Sequence, residues 1–433
     1  MKKLIYILSF LCLYAFVVSC TSDPNFSETV IIDEGPDPVD PDPDPDPDPD
    51  PDPDPDPDPD PDPTNTTEIC EGGFAGVFPC NGYDLQSWQS TSSFQASGGN
   101  DCWGWTDPQT GKEYAIYGLD NGTAFIDISD PQMPIFTAKV IGNGASSGWR
   151  DVKVYNDHAF IVSESTGHGM QIWDMNKLRD IDITPGFFEE DALYTGFGSA
   201  HNIVINEDTG YAYAVGTSTF GGGPHFVNIQ NPTSPIAAGG YNGGYSHDAQ
   251  VINYNGPDSD HTGKEIYIGS NETQVVIVDV SDKTNPEIIS TVQYSSSHYT
   301  HQGWFTEDHQ YFIVGDELDE LNTGGLTRTI VFDFTDLDSP QHHFDFEHSS
   351  FAIDHNGYVK GNEFFLASYT AGLRVMDISD IAGGTMTETG YFDVHPSDNS
   401  TNFDGAWSVY PYFASGNIVI SDINSGLFIV KKQ

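Results

Sequence analysis

Past residue 64 the chain alternates apolar and polar positions over short runs, the period-two pattern of half-buried strands. No stretch of ten or more residues there carries a helical repeat with caps; only Met175–Asp182 could form a short helical turn. One strand pattern recurs: TAFIDISDP at 123–131, MQIWDMN at 170–176, PHFVNIQNP at 224–232, VVIVDVSD at 275–282, TIVFDFTD at 329–336 and LRVMDISD at 373–380, with LFIVKKQ ending the chain. The aligned polar residues Asp127, Asp174, Asn228, Asp279, Asp333 and Asp377 are 47, 54, 51, 54 and 44 residues apart. That period suits a four-stranded propeller blade somewhat larger than a WD40 unit. Two strands precede the motif in each unit, as in AHNIVIN and YAYAVG around a turn at Glu207–Gly210, or SHDAQVI and EIYIGS. A fourth follows it, as at Ile236–Ala238 and Ile288–Val292. The pattern predicts an all-β fold, a seven-bladed β-propeller of four-stranded antiparallel blades. The last unit has strands at Trp407–Val409, Asn417–Ser421 and Leu427–Val430 and then stops, so Tyr83–Ser90, left over ahead of blade one, is expected to supply its outer strand and close the ring.

The first 63 residues follow other rules. Lys2 and Lys3 precede an apolar run, Leu4–Val18, too short to span a bilayer comfortably and ending at Ser19-Cys20. This ending resembles a bacterial lipobox, which makes 1–19 a lipoprotein signal peptide and Cys20 the acylated N-terminus of a 20–35 segment. With Thr21 following the acylated cysteine, the outer membrane or cell surface is the expected location. Residues 36–63 hold fourteen Pro and thirteen Asp. Proline lacks a backbone donor and the carboxylates repel one another, so this tract is expected to be a polyproline II stalk of roughly 87 Å at ~3.1 Å per residue. Residues 64–433 are then the propeller domain.

Charge narrows the partners. Lys and Arg number 15 against 65 Asp and Glu, a formal net charge of −50, and the stretch from Thr64 onward still carries 13 basic and 48 acidic residues. Such a polyanion repels phosphate backbones, which excludes nucleic acid, and anionic lipid surfaces as well, leaving the lipid anchor as the expected membrane contact. Of the five cysteines, Cys12 and Cys20 belong to the export segment. In an oxidising compartment, Cys70 and Cys80, flanking a short Gly-rich loop, are expected to form a disulfide, with Cys102 buried and free.

Several long strings resemble the choice-of-anchor B family: CEGGFAGVFPC (70–80), NDCWGWTDPQTGKEYAIYGLDNGTAFIDISDP (100–131), WRDVKVYNDHAFIVSESTGHGMQIWDM (149–175), SAHNIVIN (199–206), YNGPDSDHTGKEIYIGSNE (254–272) and GDELDE (315–320). The repeated motif also resembles LVIVD repeats. The resemblance runs from about Cys70 to the C-terminus and implies a propeller and an exported, anchored protein; it implies no reaction. Cys102 departs from it, standing where an aliphatic residue is expected.

Aligning the first strands gives a ring of equivalent positions: Asp101, Arg150, His201, His247, His301, His355 and, roughly, Gly405. Cys102, Asp151, Asn202, Asp248, Gln302, Asn356 and Ala406 follow them. First strands line a propeller's channel, so His201, His247, His301 and His355 would meet at one mouth as candidate ligands for a divalent metal such as zinc. A polar lining that satisfies strand-start backbone is the competing and preferred reading. Asp316, Glu317, Asp319 and Glu320 are candidate calcium ligands, as are Asp258, Asp260 and Glu265, although neither set has EF-hand spacing and solvated loop charge explains both. Trp103, Trp105, Trp149, Trp304 and Trp407 cluster near the first strands; with Arg150, Asp151 and Asp248, Trp103 and Trp304 are candidates for holding a protein or glycan ligand at one face, against packing between blades as the alternative. Gly221–Gly223 opens no helix and reads as a hairpin turn. The sequence therefore favours a binding or scaffolding module, with an exported metal-dependent enzyme, such as a hydrolase using the His ring, as the alternative.

Overall fold

The computed structural model describes residues 67–433; the expected signal peptide, Cys20 and the Pro-Asp tract lie outside the described residues. The strands assemble into seven antiparallel blades. Blade 1 holds Gly99–Thr106, Glu113–Leu119, Gly122–Asp127 and Ile135–Ile141; blade 2 holds Arg150–Tyr155, His158–Ser163, Met170–Asp174 and Ala192–Tyr194. Blade 3 runs Asn202–Asn206, Tyr211–Val215, His225–Asn228, Ile236–Gly240, and blade 4 runs Asp248–Asn253, Glu265–Ser270, Val275–Asp279, Glu287–Val292. Blade 5 has Thr300–Phe305, Tyr311–Asp316, Arg328–Asp333 and Gln341–Glu347; blade 6 has Gly357–Lys360, Glu363–Ser368, Gly372–Asp377 and Thr387–Phe392. Blade 7 joins Ala406–Tyr410, Asn417–Asp422 and Leu427–Lys432 to Tyr83–Gln89, whose antiparallel register sets Tyr83 against Lys432 and Trp88 against Phe428. The predicted closing strand is in place.

The recurring polar residue has a local cause. In all six units its side chain accepts the backbone N–H two residues on: Asp127 from Ser129 at 3.0 Å, Asp174 from Asn176 at 2.9 Å, Asn228 from Gln230 at 3.0 Å, Asp279 from Ser281 at 3.0 Å, Asp333 from Thr335 at 2.8 Å and Asp377 from Ser379 at 2.8 Å. These are Asx turns, which end the third strand and swing the chain toward the fourth. In blades 1, 3, 4, 5 and 6 the third and fourth strands also slip register just ahead of this residue, between Phe125/Ile126, Phe226/Val227, Ile277/Val278, Val331/Phe332 and Val375/Met376. A bulge at a fixed place adds the same twist to each blade.

Burial follows strand order. Second strands such as Glu113–Leu119 and Tyr311–Asp316 are buried throughout, because neighbouring blades cover both faces, whereas outer strands leave Ile236 and Ile288 exposed. Two blades exceed four strands. Gly186–Phe188, in the connection of blade 2, pairs parallel with Ile135–Ile141 of blade 1, and the hairpin Phe74–Ala75/Phe78–Asn81 extends blade 6 through Cys80 opposite Phe392. The Cys70–Cys80 disulfide brackets that hairpin, with Cα atoms 6.0 Å apart, and Cys102 is buried and free. Met175–Asp180 is a 3-10 turn, capped by Asp174. Among the described residues no helix is long and apolar enough to cross a membrane.

Candidate functional site at the two channel mouths

First strands begin at one channel mouth and end at the other, so residues a few positions apart reach opposite ends. At the starting end, four imidazoles from consecutive blades form a column: ring centroids are 3.9 Å apart for His201–His247 and 4.4 Å for both His247–His301 and His301–His355. Around them is a narrow chamber of about 20 Å³, lined also by Trp149, Arg150, Asp248 and Trp407. His247, His301 and His355 are buried; His201 is partly exposed and bonds Glu164 through Nδ1 at 2.7 Å. His355 Nδ1 lies 2.5 Å from the Trp407 carbonyl. A carbonyl only accepts, so Nδ1 carries the proton and Nε2 presents a lone pair. Burial, then the neighbouring imidazoles, pushes the pKa of His247 well below the usual histidine value, and burial first also takes His301 and His355 down to about 3. These three buried rings are neutral.

Glu317 joins this column, which the sequence reading assigned to calcium instead. It follows the second strand of blade 5, whose last residue Asp316 pairs with Thr300, so antiparallel pairing returns it beside His301. Its oxygens lie 3.7 Å from His301 Nε2 and 3.7 Å from His355 Nε2, and Oε1 accepts the Tyr369 hydroxyl at 2.9 Å. Donor atoms of His247, His301 and Glu317 all lie within 4.8 Å of one another, so the four-His ring gives way to a His-His-Glu set.

The other three acidic residues do not build the expected calcium cage. Asp316 accepts from Tyr294 Oη at 2.7 Å, His298 N at 2.8 Å and Tyr299 N at 2.6 Å, Asp319 pairs with Arg328 at 2.7 Å, and Glu320 accepts from Arg328 N at 3.0 Å. Burial, followed by the Asp319 charge, lifts Glu320 to about 9. The second proposed loop also scatters: Glu265 turns to Lys283 at 2.7 Å, while Asp258 meets His261 and Asp338 in an outer cluster.

Midway down the channel lies a charged layer. Lys153 pairs with Asp101 at 3.2 Å and with Asp151, and Asn202 bridges Asp151 to Asp248, 2.8 Å away. Burial raises Asp248 to about 7 and Asp151 well above the carboxylate range; for Lys153 the two aspartates outweigh burial and hold its pKa up. Asp151 and Asp248, expected to hold ligand, are committed to this layer. Arg150 is committed too: Nε donates to the Leu119 carbonyl at 3.0 Å and Nη1 meets His168 at 2.7 Å.

The far mouth opens into a vestibule of about 640 Å³. Trp103, Trp304, Tyr410 and Tyr412 wall it, Val204 and Val251 floor it, and Glu207 and Glu307 stand at its side. Trp103 meets Tyr410 edge-on at 5.2 Å and Trp304 meets Tyr358 at 5.0 Å, which fixes both indoles, while Lys153 Nζ sits 4.6 Å from the Trp103 ring centre. Gly104 admits the crowding, since a Cβ there would lie 2.1 Å from the Tyr410 ring. The five tryptophans therefore divide: Trp103, Trp105 and Trp304 reach the vestibule, Trp149 and Trp407 the His mouth. Trp105 is buried and donates to Asp157 at 3.1 Å, which makes it packing between blades. Tyr410 and Tyr412 were missed by the sequence reading; Tyr410 ends the last first strand and Tyr412 follows two residues later, and that place was the available signal.

A family model for the LVIVD repeat matches residues 262–293, which cover the second, third and fourth strands of blade 4. No curated protein matches. Among solved structures, the Cps50 (Swd1) β-propeller domain of Myceliophteria thermophila aligns with TM-score 0.54 at 10% identity, over 82% of this chain and all (100%) of that one. The periplasmic gluconolactonase PpgL of Pseudomonas aeruginosa gives 0.48 at 11% identity over 69% and 86%, and the C-terminal WD40 domain of Sif2 gives 0.48 at 10% over 77% and 96%. At 10% identity the likeness to the Cps50 domain is one of fold alone.

Proposed function

We propose that this protein is a lipid-anchored propeller of the choice-of-anchor B type, held outside the cytoplasm at the cell surface, and that it acts as a binding module whose wide channel mouth takes a glycan. The observation that carries the reading is the vestibule. Its volume falls within the ~300–1,000 Å³ of small-ligand sites, and two indoles held by neighbouring rings offer flat apolar faces with carboxylate, amide and ammonium groups close by. Sugar rings need that mixture. A net charge of −50 favours neutral over acidic saccharides. The lipobox at Cys20 and the Pro-Asp tract supply anchor and reach in this reading.

A metal-dependent hydrolase is the weaker alternative: the chamber around the His column has room for an ion or a water, and the ligand-sized space lies at the opposite mouth. The test is titration of the full chain with a panel of neutral oligosaccharides, followed by tryptophan fluorescence. Binding should quench or shift the emission, and Trp304→Ala and Trp103→Ala should each weaken it tenfold or more, with Trp149→Ala unchanged. A panel with no binder, or a binder indifferent to both vestibule substitutions, would refute the reading.

A further inference from the structure

We propose that His247, His301 and Glu317 form a binding site for one divalent transition ion of zinc type at the narrow mouth. Three independent observations converge on it. First, the donors come from three separate chain segments, two strand starts and the end of a second strand, yet all lie within 4.8 Å of one another. Second, no ring nitrogen of His301, which is 1% exposed, makes a close hydrogen bond and neither does His247 Nδ1; only looser contacts to the backbone of His355 and His301 reach these two rings. Burying such groups is costly unless something else meets them. Third, acceptors face one another at the site. The His355 Nε2 lone pair faces Glu317 at 3.7 Å, and His301 Nε2 faces the other carboxylate oxygen at the same distance. Acceptors facing one another across such a gap are satisfied by a cation or by a water donating to both, and a count of bound metal separates the two.

The donor set fits the ion. Two imidazoles and one carboxylate are a familiar zinc set, and they leave a fourth position open. Cysteine is absent from the set, which disfavours softer ions, and the nitrogens disfavour calcium. The adjoining chamber of about 20 Å³ has space for one ion or bound water. Ligand bonds of about 2.0–2.2 Å require the three donors to draw together on binding. Supporting contacts are present: Tyr369 donates to Glu317 Oε1 at 2.9 Å and orients the carboxylate, and His355 stands behind it. His201, engaged by Glu164 at 2.7 Å, is outside the site.

The experiment uses the full chain purified in detergent, stripped with chelator and dialysed against Zn²⁺ or Co²⁺, with bound metal counted per chain. The expected result is one ion, with Co²⁺ giving visible absorption of a low-coordinate site. His301→Gln, His247→Gln and Glu317→Gln should each weaken binding more than about 100-fold, while Tyr369→Phe, which keeps the ring in place, should weaken it about tenfold. Circular dichroism of each variant checks that the blades remain folded. His261→Gln, in the outer Asp258–His261–Asp338 cluster, should leave the ion in place. A wild-type chain that takes up no ion, a Glu317→Gln chain that binds as wild type does, or loss confined to His261→Gln would each overturn the proposal.

Discussion

Leu85→Ala tests whether the closing strand carries the ring. Leu85 is 2% exposed and sits opposite Val430, in a core shared with Phe78, Ile418 and Phe428 between blades 6 and 7. Leu→Ala in a core that cannot collapse costs about 2–5 kcal/mol. Here the walls are strands pinned on both sides: Trp88 stacks on Phe428 at 5.5 Å and donates to the Ser425 carbonyl at 2.8 Å, and Ser87 donates to Pro131 O of blade 1 at 2.6 Å. Little relaxation is available, so about 3 kcal/mol is expected. Ile236→Ala is the matched control, an outer strand of blade 3 with its side chain 66% exposed, where about 0.5 kcal/mol is expected. Urea unfolding of the full chain, followed by tryptophan fluorescence, reads both; the Leu85 variant should also be cut first by protease near residues 83–89. Should Leu85→Ala cost no more than Ile236→Ala, closure by this strand contributes nothing special and the argument fails.

The remaining expectations concern the channel and the buried thiol. Because burial holds Asp248 at about 7 against about 3.9 for an unfolded aspartate, the folded state keeps a proton that the unfolded chain releases. The Asp248 contribution to stability should therefore fall as pH rises from about 4 to about 7, opposite in sign to that of the buried neutral histidines, so Asp248→Asn should tilt that segment of a thermal-midpoint series of the metal-free protein toward higher stability with rising pH; an unchanged slope would show the charge layer is not the cause. Cys102 is buried and its thiol pKa is pushed up by burial and by Asp101, so a thiol reagent should leave it unmodified in native protein and label it only once blade 1 opens in denaturant, as mass spectrometry would show.

Much of the architecture was legible because its signals are local. The repeated acidic residue marks an Asx turn made within two residues, so the sequence period and the blade period coincide. The missing fourth strand at the C-terminus likewise pointed to Tyr83–Ser90, and the strand found there is Tyr83–Gln89. Contacts across sequence distance were not legible. The parallel pairing of Gly186–Phe188 with blade 1 depends on where the connection of blade 2 lands, and its three residues carry no pattern of their own. The His column could be aligned from first strands alone. Glu317 could not, because its approach depends on the register that sets Thr300 against Asp316. The same lack of depth information merged tryptophans that belong to opposite mouths, since Trp103 and Trp149 differ in how far along a first strand they sit.

The bracketed hairpin has a mechanical consequence. Tension reaching the domain along the chain from its N-terminal side meets the Glu68–Leu85 bridge and then Cys70, and the bond to Cys80 carries it past residues 71–79. Those nine residues would otherwise yield about 30 Å of slack at ~3.4 Å each. Load instead passes to Tyr83–Gln89, where Gln433 clamps the entry by donating to the Cys70 carbonyl at 3.0 Å and to Asp84 at 2.8 Å. The entry at Cys70 and the last residue Gln433 are thus gripped at one point on the rim, and the ring resists a pull through the strand that closes it.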